Sequence, residues 1–282
     1  MAKENTNIVV CGKKFDCGAR VVLWDEQEGL SFYPGGPSIK GHYTERNLNL
    51  KELSGLINAF YVHHSVTYTA HSMFRGLKAR NLSCNFMIDD DINEDGCATI
   101  YQLLDVKDAG YTQGGIYNRN GAGVEIAYYP DAWSNPDRYS KVNQEKWGVQ
   151  PHSIVSDTIH GHEFKKVFGP TEAQVKACIR LIYGYSKAFP NLELSFPRDK
   201  DGKFISGLVP ENQRKGLLHH FNVKRAKVDA MGFPTNFVEL EVNKLVEADK
   251  VEKAKPLTYK IVEAAKGVIE ILRPNYNSII KK

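Results

Sequence analysis

Ala59-Phe60-Tyr61-Val62-His63-His64-Ser65 is an apolar run that ends in two histidines and a serine. Its aromatic and β-branched content reads as a buried strand whose last residues turn polar. Side chains that follow one another on a strand face opposite sides. At most one histidine of the pair is therefore expected to point into a shared site.

Working outward, residues 69–80 read as a helix with Met73, Phe74 and Leu77 on one face. Cys84 to Asp89 and Thr99 to Leu104 form a hairpin pattern joined by an acidic turn, Asp90 to Gly96. Gly123-Val124-Glu125-Ile126-Ala127-Tyr128 is a second buried strand with one carboxylate in its middle. Upstream, Leu50 to Ile57 is a short helix, residues 34–47 are loop, and Asn7 to Cys11 and Ala19 to Trp24 are strand candidates. Downstream, residues 130–168 read as a long surface insertion, rich in Pro, aromatic residues and His. Thr171 and Gln174 form a capping box behind Pro170. Val175, Cys178, Ile179, Ile182, Tyr185 and Phe189 then repeat at helical spacing. Residues 190–215 are polar loop, followed by a short apolar element, Gly216 to Phe221. Beyond Asp229 the chain turns helical, and Ile261, Val262, Ala265, Val268, Ile269 and Leu272 make one apolar stripe. This order predicts an α/β fold, a central mixed β-sheet flanked by helices. The expected organisation is an N-terminal strand extension over 1–50, a main domain over 51–238 and a helical extension over 239–282.

Composition narrows the class. With 42% hydrophobic and 25% charged residues the chain is ordinary globular material, and a net charge of +4, spread evenly, does not argue for nucleic acid. The longest apolar runs are far short of the ~20 residues of a membrane helix. The first residues lack the apolar stretch of a secretory signal, so synthesis in the cytosol is expected. Five scattered cysteines without a CxxC pair favour neither a disulfide framework nor a cysteine zinc site.

The chemistry gathers on histidine. Among nine histidines, four form the adjacent pairs His63-His64 and His219-His220, each ending an apolar element. Imidazole is a common zinc ligand, and a catalytic zinc takes three protein ligands. Asp229, nine residues beyond His220, can fold back to supply the third. Glu125 in its apolar strand costs several kcal/mol if buried as an unpaired charge. It therefore reads either as an edge residue facing water or as a general base whose pKa burial has raised. Lys227, two residues before Asp229, suits an oxyanion.

In chain order, Tyr61-Val62-His63-His64-Ser65, Leu82 to Asp89, Ile100 to Leu104, Gly123-Val124-Glu125-Ile126, Pro170 to Gln174 and His220 to Asp229 resemble the zinc-dependent N-acetylmuramoyl-L-alanine amidases of the amidase-2 type. That superfamily includes phage lysozyme-amidases and peptidoglycan recognition proteins, and the resemblance covers roughly residues 55–235. It implies one catalytic Zn2+ on His63, His220 and Asp229, with His219 as the alternative second ligand because it stands where relatives carry Gly. Glu125 is implied as the base and Lys227 as the oxyanion partner. The implied reaction is hydrolysis of the amide joining N-acetylmuramic acid to L-alanine in bacterial peptidoglycan or muropeptides. A retained ligand set favours an enzyme over a non-catalytic recognition module, and the insertion and tail favour a phage lysin over a recycling enzyme. Ala109-Gly110-Tyr111-Thr112-Gln113 departs from the family's Trp-His-Ala stretch.

Two other motifs read as bystanders. Asp91-Ile92-Asn93-Glu94-Asp95-Gly96 matches half a calcium loop but has Gln102 at the twelfth position. His160-Gly161-His162-Glu163 reads as surface.

Overall fold

The computed structural model describes residues 4–33 and 43–254. The stripe over 261–272 and the loop residues 34–42 lie outside the described residues. The elements in chain order are β1 (Asn7–Val10), β2 (Lys13–Asp16), β3 (Val21–Leu23), β4 (Tyr43–Glu45), α1 (Leu50–Leu56), β5 (Ala59–His64), α2 (Ala70–Ala79), β6 (Phe86–Ile88), β7 (Ile100–Gln102) and β8 (Asp108–Gly110). There follow β9 (Gly121–Ile126), α3 (Lys141–Trp147), β10 (Ile154–Ile159), β11 (His162–Phe168), α4 (Glu172–Ala188), β12 (Gly216–His219), α5 (His220–Val223) and α6 (Thr235–Ala254). The chain divides into two compact units, Met1–Val242 and Asn243–Lys282. The second is described as far as Ala254 and is helical throughout that stretch.

The central sheet has six strands in the order β12-β5-β9-β6-β7-β3. β12, β5, β9 and β6 run parallel; β7 is antiparallel to β6, and β3 is parallel to β7. The sheet is thus mixed, with helices on both faces, as the order of elements predicts. One face carries Phe60 and Phe86 against α4, where the Phe60 and Tyr185 rings lie 4.9 Å apart. On the other, Met87 and Tyr101 pack with Met73 and Leu77 of α2. The Thr171–Gln174 capping box forms at the start of α4. The Gln174 side chain also donates to the carbonyls of Ala127 and Asp89, which ties α4 to the ends of β9 and β6.

Three regions depart from the sequence reading. Within the stretch read as loop, Tyr43–Glu45 is a strand paired with Asp108–Gly110. Lys13–Asp16 is a strand with no apolar pattern of its own, because it needs only the backbone of β1 as partner. This two-stranded ribbon is separate from the central sheet. The buried Gln102 amide fills the gap, accepting from Val9 N–H and donating to Val9 C=O at 2.7 Å each. Residues 130–168, expected as a surface insertion, contain α3 and the β10–β11 ribbon. Much of the ribbon is exposed, but Ile159 and Val167 are buried in one cluster with Phe221 and Met231.

No helix among the described residues is long and apolar enough to cross a membrane.

Candidate metal and active site

The parallel register sets the site. His63 of β5 lies beside Glu125 of β9, and Glu125 lies beside Met87 of β6. All three therefore share the sheet face that α2 covers. His64, one residue on, belongs to the opposite face, where its ring lies 5.0 Å from Tyr128. On the next strand, β12 ends at His219 and α5 begins at His220, so the two histidines of this pair sit in different elements. The change of backbone directs His220 to His63, with ring centroids 4.6 Å apart. His219 stays in the core, stacked 4.8 Å from both Phe196 and Phe221, and its Nε2 pairs with Thr235 Oγ1 at 3.0 Å. Of the two candidates it is thus His220 that reaches His63 and Asp229.

Three donor atoms converge. His63 Nδ1 and His220 Nδ1 are 3.1 Å apart, and both face Asp229 Oδ2, at 2.9 and 3.0 Å. Such a triangle is hard to satisfy with protons. Two N–H groups pointing at each other repel, and two bare lone pairs do the same. A cation satisfies all three atoms at once. Zinc bonds near 2.0–2.1 Å in a tetrahedron space their ligands by about 3.3 Å, so these atoms need move only a few tenths of an ångström. His63, His220 and Asp229 could therefore hold a metal ion. Nε2 of each ring is buried with no hydrogen-bond partner among the described residues, so packing orients the rings.

Electrostatics agree with a shared site. Burial would raise the Asp229 carboxyl, but hydrogen bonds from His220 and His63 hold it well below the usual carboxylate range. Burial works against charge on His63, yet the Asp229 hydrogen bond and the Glu125 charge raise it overall. His220, beside it, is pushed down to about 4 by burial. Glu125 is only 9% exposed, and burial lifts its carboxyl to about 7, with His63 and Lys227 pulling back and Asp229 pushing up. That value suits proton exchange near neutrality.

The loop bearing Asp229 leaves α5, makes a turn closed by Lys227 N–H on Lys224 C=O, and docks along its backbone. Asp229 C=O accepts from Phe221 N–H, Met231 N–H donates to His64 Nδ1 at 3.0 Å, and Tyr128 Oη donates to Met231 C=O at 2.6 Å. From the β10–β11 ribbon, Asp157 accepts from Gly232 N–H at 2.7 Å, and His160 Nε2 lies 3.0 Å from Lys227 C=O. A Cβ added to Gly169 would come within 2.8 Å of Gly232 O, so the loop rests backbone on backbone there.

The resulting cleft, about 260 Å³, is lined by Glu125, His220, Lys227 and Asp229 together with Arg80 and Thr112. Sequence reasoning missed Arg80 and reached Thr112 only as one of five residues, Ala109 to Gln113, in a stretch expected to shape the cleft. Arg80 looks like any exposed residue at a helix end, and Thr112 belongs to the stretch that departs from the family pattern. The Thr112 hydroxyl is buried without a partner among the described residues. A Cβ on Gly123 would fall 2.2 Å from Gln113 Nε2, so the glycine lets the Thr112–Gln113 segment cross β9. The calcium-like stretch is a turn: Asp91 accepts from the backbone and hydroxyl of Thr99, and Asp95 from Cys97 N–H.

No protein-family model matches the chain, and no curated protein matches it in sequence. Among solved structures it is similar to the endolysin N-acetylmuramoyl-L-alanine amidase LysCS from Clostridium intestinale URNW, at 13% identity over 79% of this chain and 95% of that one, with a TM-score of 0.42. It is also similar to the N-acetylmuramoyl-L-alanine amidase LysC from the same organism, at 13% identity, 80% and 98% coverage and a TM-score of 0.44. The N-acetylmuramyl-L-alanine amidase AmiD from E. coli is 12% identical over 67% of this chain and 54% of that one, with a TM-score of 0.33. Likenesses this distant leave the functional reading to the site itself.

Proposed function

We propose that this protein is a zinc-dependent N-acetylmuramoyl-L-alanine amidase acting on bacterial peptidoglycan. The observation that carries the reading is the convergence of His63 Nδ1, His220 Nδ1 and Asp229 Oδ2 within 2.9–3.1 Å, in a cleft that also holds the buried Glu125. His63, His220 and Asp229 would hold the ion. Zinc, when bound, acts as a Lewis acid toward the carbonyl and lowers the pKa of water toward about 7. Glu125 takes the proton of the attacking water on its carboxylate and returns it to the leaving amine of L-alanine. A carboxyl held near 7 can both accept and release that proton. The Lys227 ammonium, half-buried at the cleft, faces the negative charge that develops on the carbonyl oxygen. Arg80 provides a cation for the peptide.

Mass spectrometry of purified peptidoglycan, digested with and without a chelator, tests this. Free stem peptides beginning with L-alanine are expected, lost with chelator and restored by zinc. Digests without new amino termini on L-alanine would refute the reading. Activity on intact wall, rather than only on soluble muropeptides, is the outcome expected of a lysin.

A further inference from the structure

Two histidines outside the ligand set grip the loop that carries Asp229. His160 Nε2 sits 3.0 Å from the carbonyl of Lys227, two residues before Asp229. His64 Nδ1 accepts the N–H of Met231, two residues after it, at 3.0 Å. The partners dictate the tautomers. A carbonyl can only accept, so His160 carries a proton on Nε2; an N–H can only donate, so His64 Nδ1 is bare. We infer that His160 and His64 are positioning residues that hold Asp229 and Lys227 in their working places, an inference that rests on the proposed zinc amidase reading.

The place of His160 argues for this role. With Gly161 it forms the two-residue tip of the β10–β11 hairpin, where Ile159 pairs with His162. Both tip residues have positive φ, +53° and +79°, the pattern of a type I′ turn, which favours Asn or Gly at the first position. Histidine is a poorer fit to that backbone than Asn, and a backbone cost at one position marks a constraint from elsewhere. Its ring reaches across to a residue 67 positions away. His64 has a complementary logic. His63 meets the loop through Asp229 on one face of β5, and His64 meets it through Met231 on the other. Adjacent residues on one strand therefore fix the same loop from both sides. The other backbone holds on this loop come from Phe221, on the carbonyl of Asp229 itself, and from Asp157 and Tyr128, on Gly232 and Met231 beyond it. Before Asp229, Lys227 C=O has only the His160 ring from outside the loop among the hydrogen bonds of the described residues.

Isosteres separate positioning from mere stability. Gln carries its amide nitrogen about where Nε2 lies, whereas Asn stops short; Asn carries its oxygen about where Nδ1 lies. His160→Asn should fold at least as well as the parent because it suits the turn, yet lose zinc affinity by about tenfold to a hundredfold, the usual effect of removing a group behind a metal ligand. His160→Gln, the poorer turn residue, should keep affinity within about threefold of the parent. His64→Asn should likewise keep it, and His64→Leu should lose it. Zinc affinity comes from competition with a chelating dye, fold stability from thermal melts, and kcat and KM from peptidoglycan turnover, where kcat should follow affinity and KM stay level. If His160→Asn and His64→Leu bind zinc within twofold of the parent, or if affinity follows melting temperature across the four variants, the clamp is overturned while the amidase reading stands. A parent protein that binds no zinc overturns both.

Discussion

His63-His64 and His219-His220 are the same dipeptide at the ends of neighbouring parallel strands, and the chain uses them in opposite ways. β5 runs through both residues of the first pair, so alternation sends His63 toward His220 and Asp229 and His64 to the far face. In the second pair the strand stops at His219 and a helical turn starts at His220. There the first residue is core and the second is a candidate ligand. What a paired motif presents thus depends on whether the backbone keeps its period of two or changes element between the residues.

The sharpest way to break that comparison is to remove one ring at a time. His63→Ala and His220→Ala should each lower zinc affinity by more than about a hundredfold and bring hydrolysis to background, since each deletes a donor rather than a group behind one. His219→Ala should keep its zinc. Zinc content of purified variants decides it, and a His219 variant that loses zinc while His220→Ala keeps it would reverse the assignment.

Next in size, Glu125→Gln should bind zinc like the parent and lose about 10²- to 10⁴-fold in turnover, because it removes only the proton acceptor. Unchanged turnover would move the base elsewhere.

The smallest expected effect concerns the core histidine. Burial, with the nearby His63 charge, lowers His219 to about 3, against 6.5 for an ordinary histidine. The unfolded chain therefore takes up that proton first as pH falls. Stability is level above pH 6.5 and declines below it, toward pH 3. His219→Leu leaves Thr235 without this partner and should cost about 1 kcal/mol at pH 7. It should also show a shallower loss between pH 6.5 and 4, so that the two stability curves converge in acid. Denaturant titrations of the metal-free proteins across that range check it; parallel curves would show that His219 takes no part.

Local features carried most of the fold into view from sequence. The apolar runs of β5 and β9, the hairpin around Asp90–Gly96 and the Thr171–Gln174 box all rest on neighbours within a few residues. The ligand candidates were legible because His63 and His220 each stand where an apolar element ends, and because with Asp229 they follow an order that resembles a known family. What stayed hidden depends on distant partners. His160 looked like surface because the ribbon around it is exposed; its value lies in one carbonyl 67 residues on. Gln102 looked like an ordinary strand residue, though it serves as the hydrogen-bond partner of Val9. The choice between His219 and His220 turned on where a strand ends, a boundary that periodicity alone does not place.

The backbone contact between Gly169 and Gly232 has a consequence for how the cleft can be reshaped. An engineer or a lineage seeking more room usually trims a side chain, but at this seam both residues are already glycine. Any substitution at either position can only wedge the Asp229 loop outward, and no second mutation at the seam can relieve the wedge. The other walls of the cleft, α2, residues 65–67 and the Thr112 segment, carry side chains that can be trimmed, which leaves the Asp229 loop as the fixed wall and the opposite side as the adjustable one.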